Sequence, residues 1–116
     1  MDTRKPSSSE EIRGQEIAVK EVETGRAITY RDLDRLGSKV ANGLLSIGVK
    51  KGDRVILYMR NRIEYLIAER GIAKIGAIRI GLNELLSAEY IKYMIEDSKP
   101  RVLITDYELI GGIREI

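Results

Sequence analysis

The 116-residue sequence contains no cysteine and no histidine. Without thiols or imidazoles it has no disulfide, no thiolate nucleophile, no imidazole base and no Cys/His zinc site. It has no run of 18 apolar residues, so nothing in it reads as a membrane-spanning helix. The opening MDTRKPSSSEE lacks the apolar centre of a signal peptide. A cytoplasmic location is the expectation, with which a cysteine-free composition is compatible. Neither sign of charge dominates: 20 Lys and Arg are interleaved with 18 Asp and Glu. A nucleic-acid stripe requires clustering, so no nucleic-acid partner is expected. Lys50-Lys51, the densest internal basic pair, reads as a solvated turn.

The glycine devices of nucleotide-binding α/β proteins are missing as well. No G-x-G-x-x-G follows a predicted strand. Gly43 and Gly48 have the spacing of a P-loop, but Val49 stands where the lysine belongs and the stretch has a helical pattern. Gly111-Gly112 is at most a weak phosphate nest. The carboxylate pairs Glu10-Glu11 and Glu96-Asp97 are adjacent in sequence, so their side chains diverge on a helix or strand and read as solvated. Tyr90 and Tyr93 read as core or rim of a helix face.

What is present is regular patterning. Residues 1–15 form a polar lead-in, expected to be mobile. Ile17, Val19 and Val22 alternate with charged residues, Thr24-Gly25-Arg26 is a turn, and Ala27-Ile28-Thr29 resumes an extended run, which predicts a β-hairpin. Thr29 opens a helix, with Asp32 three residues on as the second half of a capping box. Leu33, Leu36, Val40, Leu44 and Ile47 mark its apolar stripe, and Gly48 is its left-handed stop.

The continuous apolar run Val55–Met59 suits a parallel strand covered on both faces. Asn61 is expected to cap a helix over residues 62–75, paired with Glu64. That helix carries apolar residues on several sides, which implies a second layer of cover that the chain need not itself contain. Gly76 ends it. Residues 77–82 form the next strand, with Arg79 near an edge or crevice. Ser87 caps a third helix that lays down Tyr90, Ile91, Met94 and Ile95, and Lys99-Pro100 breaks it. Val102–Thr105 reads as a third buried strand, and Asp106 as the cap of a further helix that still runs at Ile116, as in a truncated chain. The fold class is therefore α/β, a βαβαβ parallel-sheet unit preceded by a β-hairpin.

Three separated segments carry a family resemblance. Ile28-Thr29-Tyr30-Arg31-Asp32-Leu33 resembles the first core motif of the adenylate-forming enzymes, which comprise acyl-CoA synthetases, luciferases and peptide-synthetase adenylation domains. Ala73-Lys74-Ile75-Gly76-Ala77 through Leu82-Asn83 resembles their second core motif. The G-V-x-x-G-D-R-V of Gly48–Val55 between them is equally similar. Two departures stand out: Asp32 replaces the usual Glu, and Gly81 the usual Pro.

The resemblance implies an N-terminal subdomain fragment of the acyl-CoA synthetase-like fold over residues 16–116. It implies an ATP-dependent reaction in which a fatty acid or other carboxylate becomes an acyl-adenylate and then a coenzyme A thioester. ATP, magnesium and coenzyme A are implied for the full-length enzyme and none for this chain. The family's phosphate loop with its Lys, its magnesium-holding Glu, its ribose-binding Asp and its C-terminal catalytic Lys have no counterpart here. The resemblance therefore places no catalytic, cofactor-binding or metal-binding residue on any position. The implied partner is the remainder of the synthetase, on the same or a separate polypeptide, and the chain alone is expected to be inactive. The rival reading is a non-catalytic assembly module that docks the rest of a split synthetase, suggested by the many-sided apolar helix.

Overall fold

A computed structural model of the chain describes residues 14–112. The expectations for the lead-in and for the terminal Ile116 fall on residues outside that range.

The element order is β1 (Ile17–Lys20), β2 (Ala27–Thr29), α1 (Tyr30–Ser46), β3 (Arg54–Tyr58), α2 (Ile63–Lys74), β4 (Ile78–Leu82), α3 (Ala88–Ser98), β5 (Val102–Thr105) and a 3-10 helix over Tyr107–Gly112. β1 and β2 pair antiparallel as the expected hairpin. β3, β4 and β5 form a parallel sheet in the order β4-β3-β5. β3 is thus the central strand and β5 an edge. Val102–Thr105 is only half-buried for that reason, where the sequence suggested a fully buried strand.

Alternation along β3 divides the core into two halves. Val55 and Leu57 pack with Leu44 of α1 and with Ala68 and Ile72 of α2. Ile56 and Tyr58 pack with Leu82 and with Ile91 of α3. A strand whose successive side chains point to opposite faces needs cover on both. Here α1 and α2 cover one face and α3 the other. The second layer inferred for α2 therefore lies within this chain: it is α1, with the hairpin beside it. Gly37 of α1 and Gly71 of α2 are both buried where the two helices cross.

Three local expectations are corrected. A bulge between Ile17 and Val19 shifts the β1 register, so Ala18 and Val19 pack against the Ile28 cluster while Ile17 and Val22 are exposed. Ile47 is the C-cap of α1 rather than part of its stripe, and it is 59% exposed. Asn61 does not cap α2; the N-cap is Arg62, and it makes no side-chain capping bond.

The helix ends otherwise follow the sequence. At α1, Gly48 at φ +96° donates its N–H to Leu45 O, and Val49 donates to Leu44 O. This is a Schellman stop, and its apolar contact, Leu44 with Val49, belongs to the core. Gly76 at φ +72° repeats the pattern at α2, with Ala77 N–H on Ile72 O.

Thr29 caps α1 by accepting from Asp32 N–H at 3.1 Å. The Asp32 carboxylate lies 3.6 Å from the Arg35 guanidinium, on the outer side of the first turn. Thr29→Ala is expected to cost about 1 kcal/mol, the worth of one side-chain cap. A urea titration followed by helical circular dichroism measures it, and Thr29→Ser should restore most of the loss.

Candidate functional site

Because α2 leaves β3 toward one face and α3 leaves β4 toward the other, the loops after these adjacent strands diverge. That divergence opens a crevice beyond the strand C-termini, the usual binding position in open parallel sheets. The crevice here has a volume of about 360 Å³ and is lined by Met59, Arg60 and Asn61 after β3, by Arg79 and Leu82 of β4, and by Asn83 after it. A second cleft of about 600 Å³ adjoins it, sharing Arg60, Asn61 and Glu84, and is closed on its far side by the hairpin turn.

Both crevice arginines are held by neighbours. Arg79 donates from Nη1 to the Tyr65 hydroxyl at 2.8 Å and pairs through Nε with Glu69 at 2.9 Å. It lies on β4, an edge strand, at the crevice wall where the sequence placed it. Arg60 pairs through Nη2 with Glu108 at 2.6 Å, and its backbone N–H donates to Asp106 Oδ2 at 2.7 Å. Its Nε stands 3.6 Å from the same Asp106 oxygen, buried and without a hydrogen bond. Asp106 therefore fastens the loop after β3 to the end of β5, rather than capping a helix with its side chain. Glu108 is held below the usual carboxylate range, chiefly by a backbone hydrogen bond within its own residue and then by Arg60.

The hairpin is fastened by a denser cluster. Arg26 bonds Glu64 with two nitrogens, at 2.8 and 2.9 Å, and Glu21 with two more contacts at 2.7 and 2.9 Å. Glu21 also accepts from the Thr24 hydroxyl at 2.6 Å and from the Ile63 N–H at 2.9 Å. A carboxylate 42 residues upstream thus fills the capping role expected of Asn61, at the positive end of α2 where negative charge is favoured. Hydrogen bonds from Arg26, then Thr24, then the Ile63 N–H bring the Glu21 pKa down from 4.5 to about 2. Glu64 is lowered as well, first by its bonds to Arg26.

Lowered carboxylate pKa values stabilise the fold above the unfolded-state value and lose that contribution as pH falls through the folded-state value. Stability is expected to decline as pH is lowered from about 4.5 toward about 2. The decline should be shallower in Glu21→Gln. Urea midpoints across that pH range measure both slopes.

Apart from Arg60 Nε, these side chains pair with one another. Among the described residues no group of three His, Cys, Asp or Glu side chains could hold a metal ion. Gly111 lies in the terminal 3-10 helix, Glu96 and Asp97 are exposed on α3, and the exposed rings of Tyr90 and Tyr93 stand 6.3 Å apart on the same helix. Among the described residues the crevice arginines Arg60 and Arg79 are already paired with carboxylates, and no group of three carboxylates gathers there to hold a magnesium–nucleotide complex. The Arg26–Glu64, Glu21–Ile63 and Arg60–Asp106 contacts were invisible in the local sequence, since they join residues 38, 42 and 46 positions apart.

The architecture is a parallel α/β framework with its open crevice at the strand ends. A family model described as AMP-binding enzyme matches residues 8–115. The 3-hydroxybenzoate--CoA/4-hydroxybenzoate--CoA ligase of Thauera aromatica is 40% identical over 91 residues, which are 78% of this chain and 17% of that ligase. The acetyl-coenzyme A synthetase of Thiobacillus denitrificans is 42% identical over 88 residues, 75% of this chain and 13% of that enzyme. Among solved structures, the anthranilate CoA ligase AuaEII in complex with anthranoyl-AMP superposes with a TM-score of 0.85 at 31% identity, covering 90% of this chain and 20% of that one. The inhibitor-bound N-terminal domain of FACL13 from Mycobacterium tuberculosis gives a TM-score of 0.81 at 30% identity, covering 91% and 27%.

The chain belongs to the AMP-binding enzyme family. It spans about a sixth of the length of the curated relatives it matches.

Proposed function

We propose that this chain is the N-terminal framework of an ATP-dependent acyl-CoA ligase and has no adenylating activity by itself. In the whole enzyme a carboxylate would attack the ATP α-phosphate, releasing pyrophosphate, and coenzyme A would then displace AMP to leave the thioester. ATP, magnesium and coenzyme A belong to that larger protein, and its remainder, covalently joined or separate, is the partner. Residues 16–116 supply walls and a crevice. The observation that carries this reading is the match of a CoA-ligase N-terminal framework over most of this chain but only 20–27% of the solved ligase chains. A cytoplasmic location goes with it; no helix among the described residues is long and apolar enough to cross a membrane.

The acid is left at the level of a carboxylate, because the matched relatives are named for hydroxybenzoate, acetyl, crotonobetaine/carnitine and long-chain fatty-acid groups. The alternative is a separate assembly module that docks the rest of a split synthetase; α1 covers part of the apolar surface of α2 that suggested it, and Leu66 and Ile67 stay half-buried.

Calorimetry with magnesium–ATP tests the reading. The 116-residue chain alone should give no heat of binding and no acyl-adenylate. Micromolar affinity, or adenylate formation from ATP and a carboxylic acid, would overturn it.

A further inference from the structure

The end of the sheet opposite the crevice carries a surface of its own. Each helix ends where the next strand begins, so the C-termini of α1, α2 and α3 converge at the strand N-termini. Five basic residues meet there: Lys50 and Lys51 from the turn before β3, Arg54 at its start, and Lys99 and Arg101 between α3 and β5. Arg101 N–H donates to Arg54 O at 2.7 Å, and Arg54 Nη1 donates to Ser98 O at 3.1 Å, next to Lys99. The Arg101 guanidinium lies against Gly48 and the Lys51 stem against Gly76. All five residues are exposed, and none is ion-paired among the described residues. The carboxylate within the turn, Asp53, is engaged by the Lys50 N–H at 2.8 Å. Glu96 and Asp97, on the last turn of α3, are exposed and make no ion pair among the described residues.

Cations near helix C-termini complement the helix dipole, and that accounts for Arg54 on the α3 carbonyl. It does not account for Lys50 and Lys51, whose ammonium groups hydrogen-bond no described carbonyl. Two exposed aliphatics stand at the rim: Ile47, 59% exposed beside Gly48, and Ile78, 48% exposed, whose N–H bonds Asp53 O.

We propose that this end of the sheet docks on an anionic lipid surface. The lysines and arginines would take headgroup phosphates and carboxylates while Ile47 and Ile78 enter the interfacial layer. Dispersed aliphatics among cations suit a headgroup region, whereas a protein partner calls for a continuous apolar centre. A single-stranded nucleic acid would call for stacking rings. Tyr30, Tyr65, Tyr90 and Tyr107 lie in the first turns of helices and Tyr58 at the C-terminal end of β3, away from this surface, and Tyr93 is mid-helix. The proposal rests on surface charge and shape and not on the ligase reading.

Co-sedimentation of the 116-residue chain with vesicles tests it. Binding is expected to phosphatidylcholine vesicles containing phosphatidylserine, not to phosphatidylcholine alone, and it should fall steeply in high salt. Each basic residue near such a surface is worth about fivefold in partitioning, so Lys50→Glu with Lys51→Glu should weaken binding by roughly 25-fold or more. Lys20→Glu with Lys39→Glu, exposed elsewhere, should change it less than about twofold. Lys51→Gln, expected to cost about fivefold, carries the test should the double variant lose its native circular dichroism. No sedimentation with the anionic vesicles, equal binding by the folded Lys50/Lys51 variants, or preferential binding to polyglutamate or DNA would each overturn the proposal.

Discussion

Leu57→Ala is expected to lower the unfolding free energy by about 2–5 kcal/mol, the cost of emptying a buried leucine site. Leu57 sits on the central strand with no accessible surface, and it packs with Leu44, Ala68 and Ile72 from two helices. Neighbours anchored on two helices cannot close over the lost methyl groups without breaking helix bonds, so the cavity term persists. Both edges of the ladder hold the strand in place: Leu57 is in register with Gly81 on β4 and Ile104 on β5. Domains of this size are stable by about 5–15 kcal/mol, so a substantial share of the total would be lost. Urea midpoints at constant slope measure the effect. A loss below about 1 kcal/mol would mean that the two halves of the core repack independently of β3.

The second large effect arises at the crossing of α1 and α2. Alanine is ordinarily better than glycine inside a helix by about 1 kcal/mol. At Gly71 the sign should invert. A methyl group there would stand 2.5 Å from Val40 Cγ1, 2.6 Å from Val40 Cβ and 2.9 Å from Gly37 O. Two of those contacts are with backbone or a β-carbon, which move only with the helix. Gly71→Ala is therefore expected to destabilise by about 1–3 kcal/mol, as overpacked cores do.

The facing glycine provides the contrast. At Gly37 the methyl group would meet Arg70 Cγ at 2.5 Å, which a change of rotamer can move, and Arg70 Cβ at 3.0 Å, a fixed contact but a looser one than the 2.6 and 2.9 Å met at Gly71. Gly37→Ala should come out within about 1 kcal/mol of the parent, the helix gain offsetting the displacement. Paired thermal or urea denaturation of the two variants reads the difference directly. Equal effects at both positions would show that the helices separate to admit the new methyl groups.

Much of this architecture was legible from local chemistry. Gly48 and Gly76 stop helices because only a residue without Cβ takes their positive φ cheaply. Thr29 and Ser87 start helices because a short side-chain oxygen reaches the free N–H groups two or three residues on. The unbroken apolar run of β3 announced a strand buried on both faces, and it is the central one. The motifs around Thr29, Gly48–Val55 and Ala73–Asn83 led to the family.

What failed did so where a partner is distant in sequence. Asn61 was the better local cap for α2, yet Glu21 arrives across 42 residues with Arg26 already bound to it. The stripe of α1 looked complete with Ile47, but the close helix crossing buries Gly37 and Ala41 instead. The apolar sides of α2 called for cover, and nothing local identified α1 as its source.

The sequence by itself determined the elements, the caps of α1 and α3 and the family, because these depend on residues within a turn or two of one another. The tertiary structure alone decided which strand lies at the centre, which helix covers which face, and what gathers at each end of the sheet. Lys50, Lys51 and Arg54 meet Lys99 and Arg101 at the strand N-termini, since every return connection of a parallel sheet comes back to that same end.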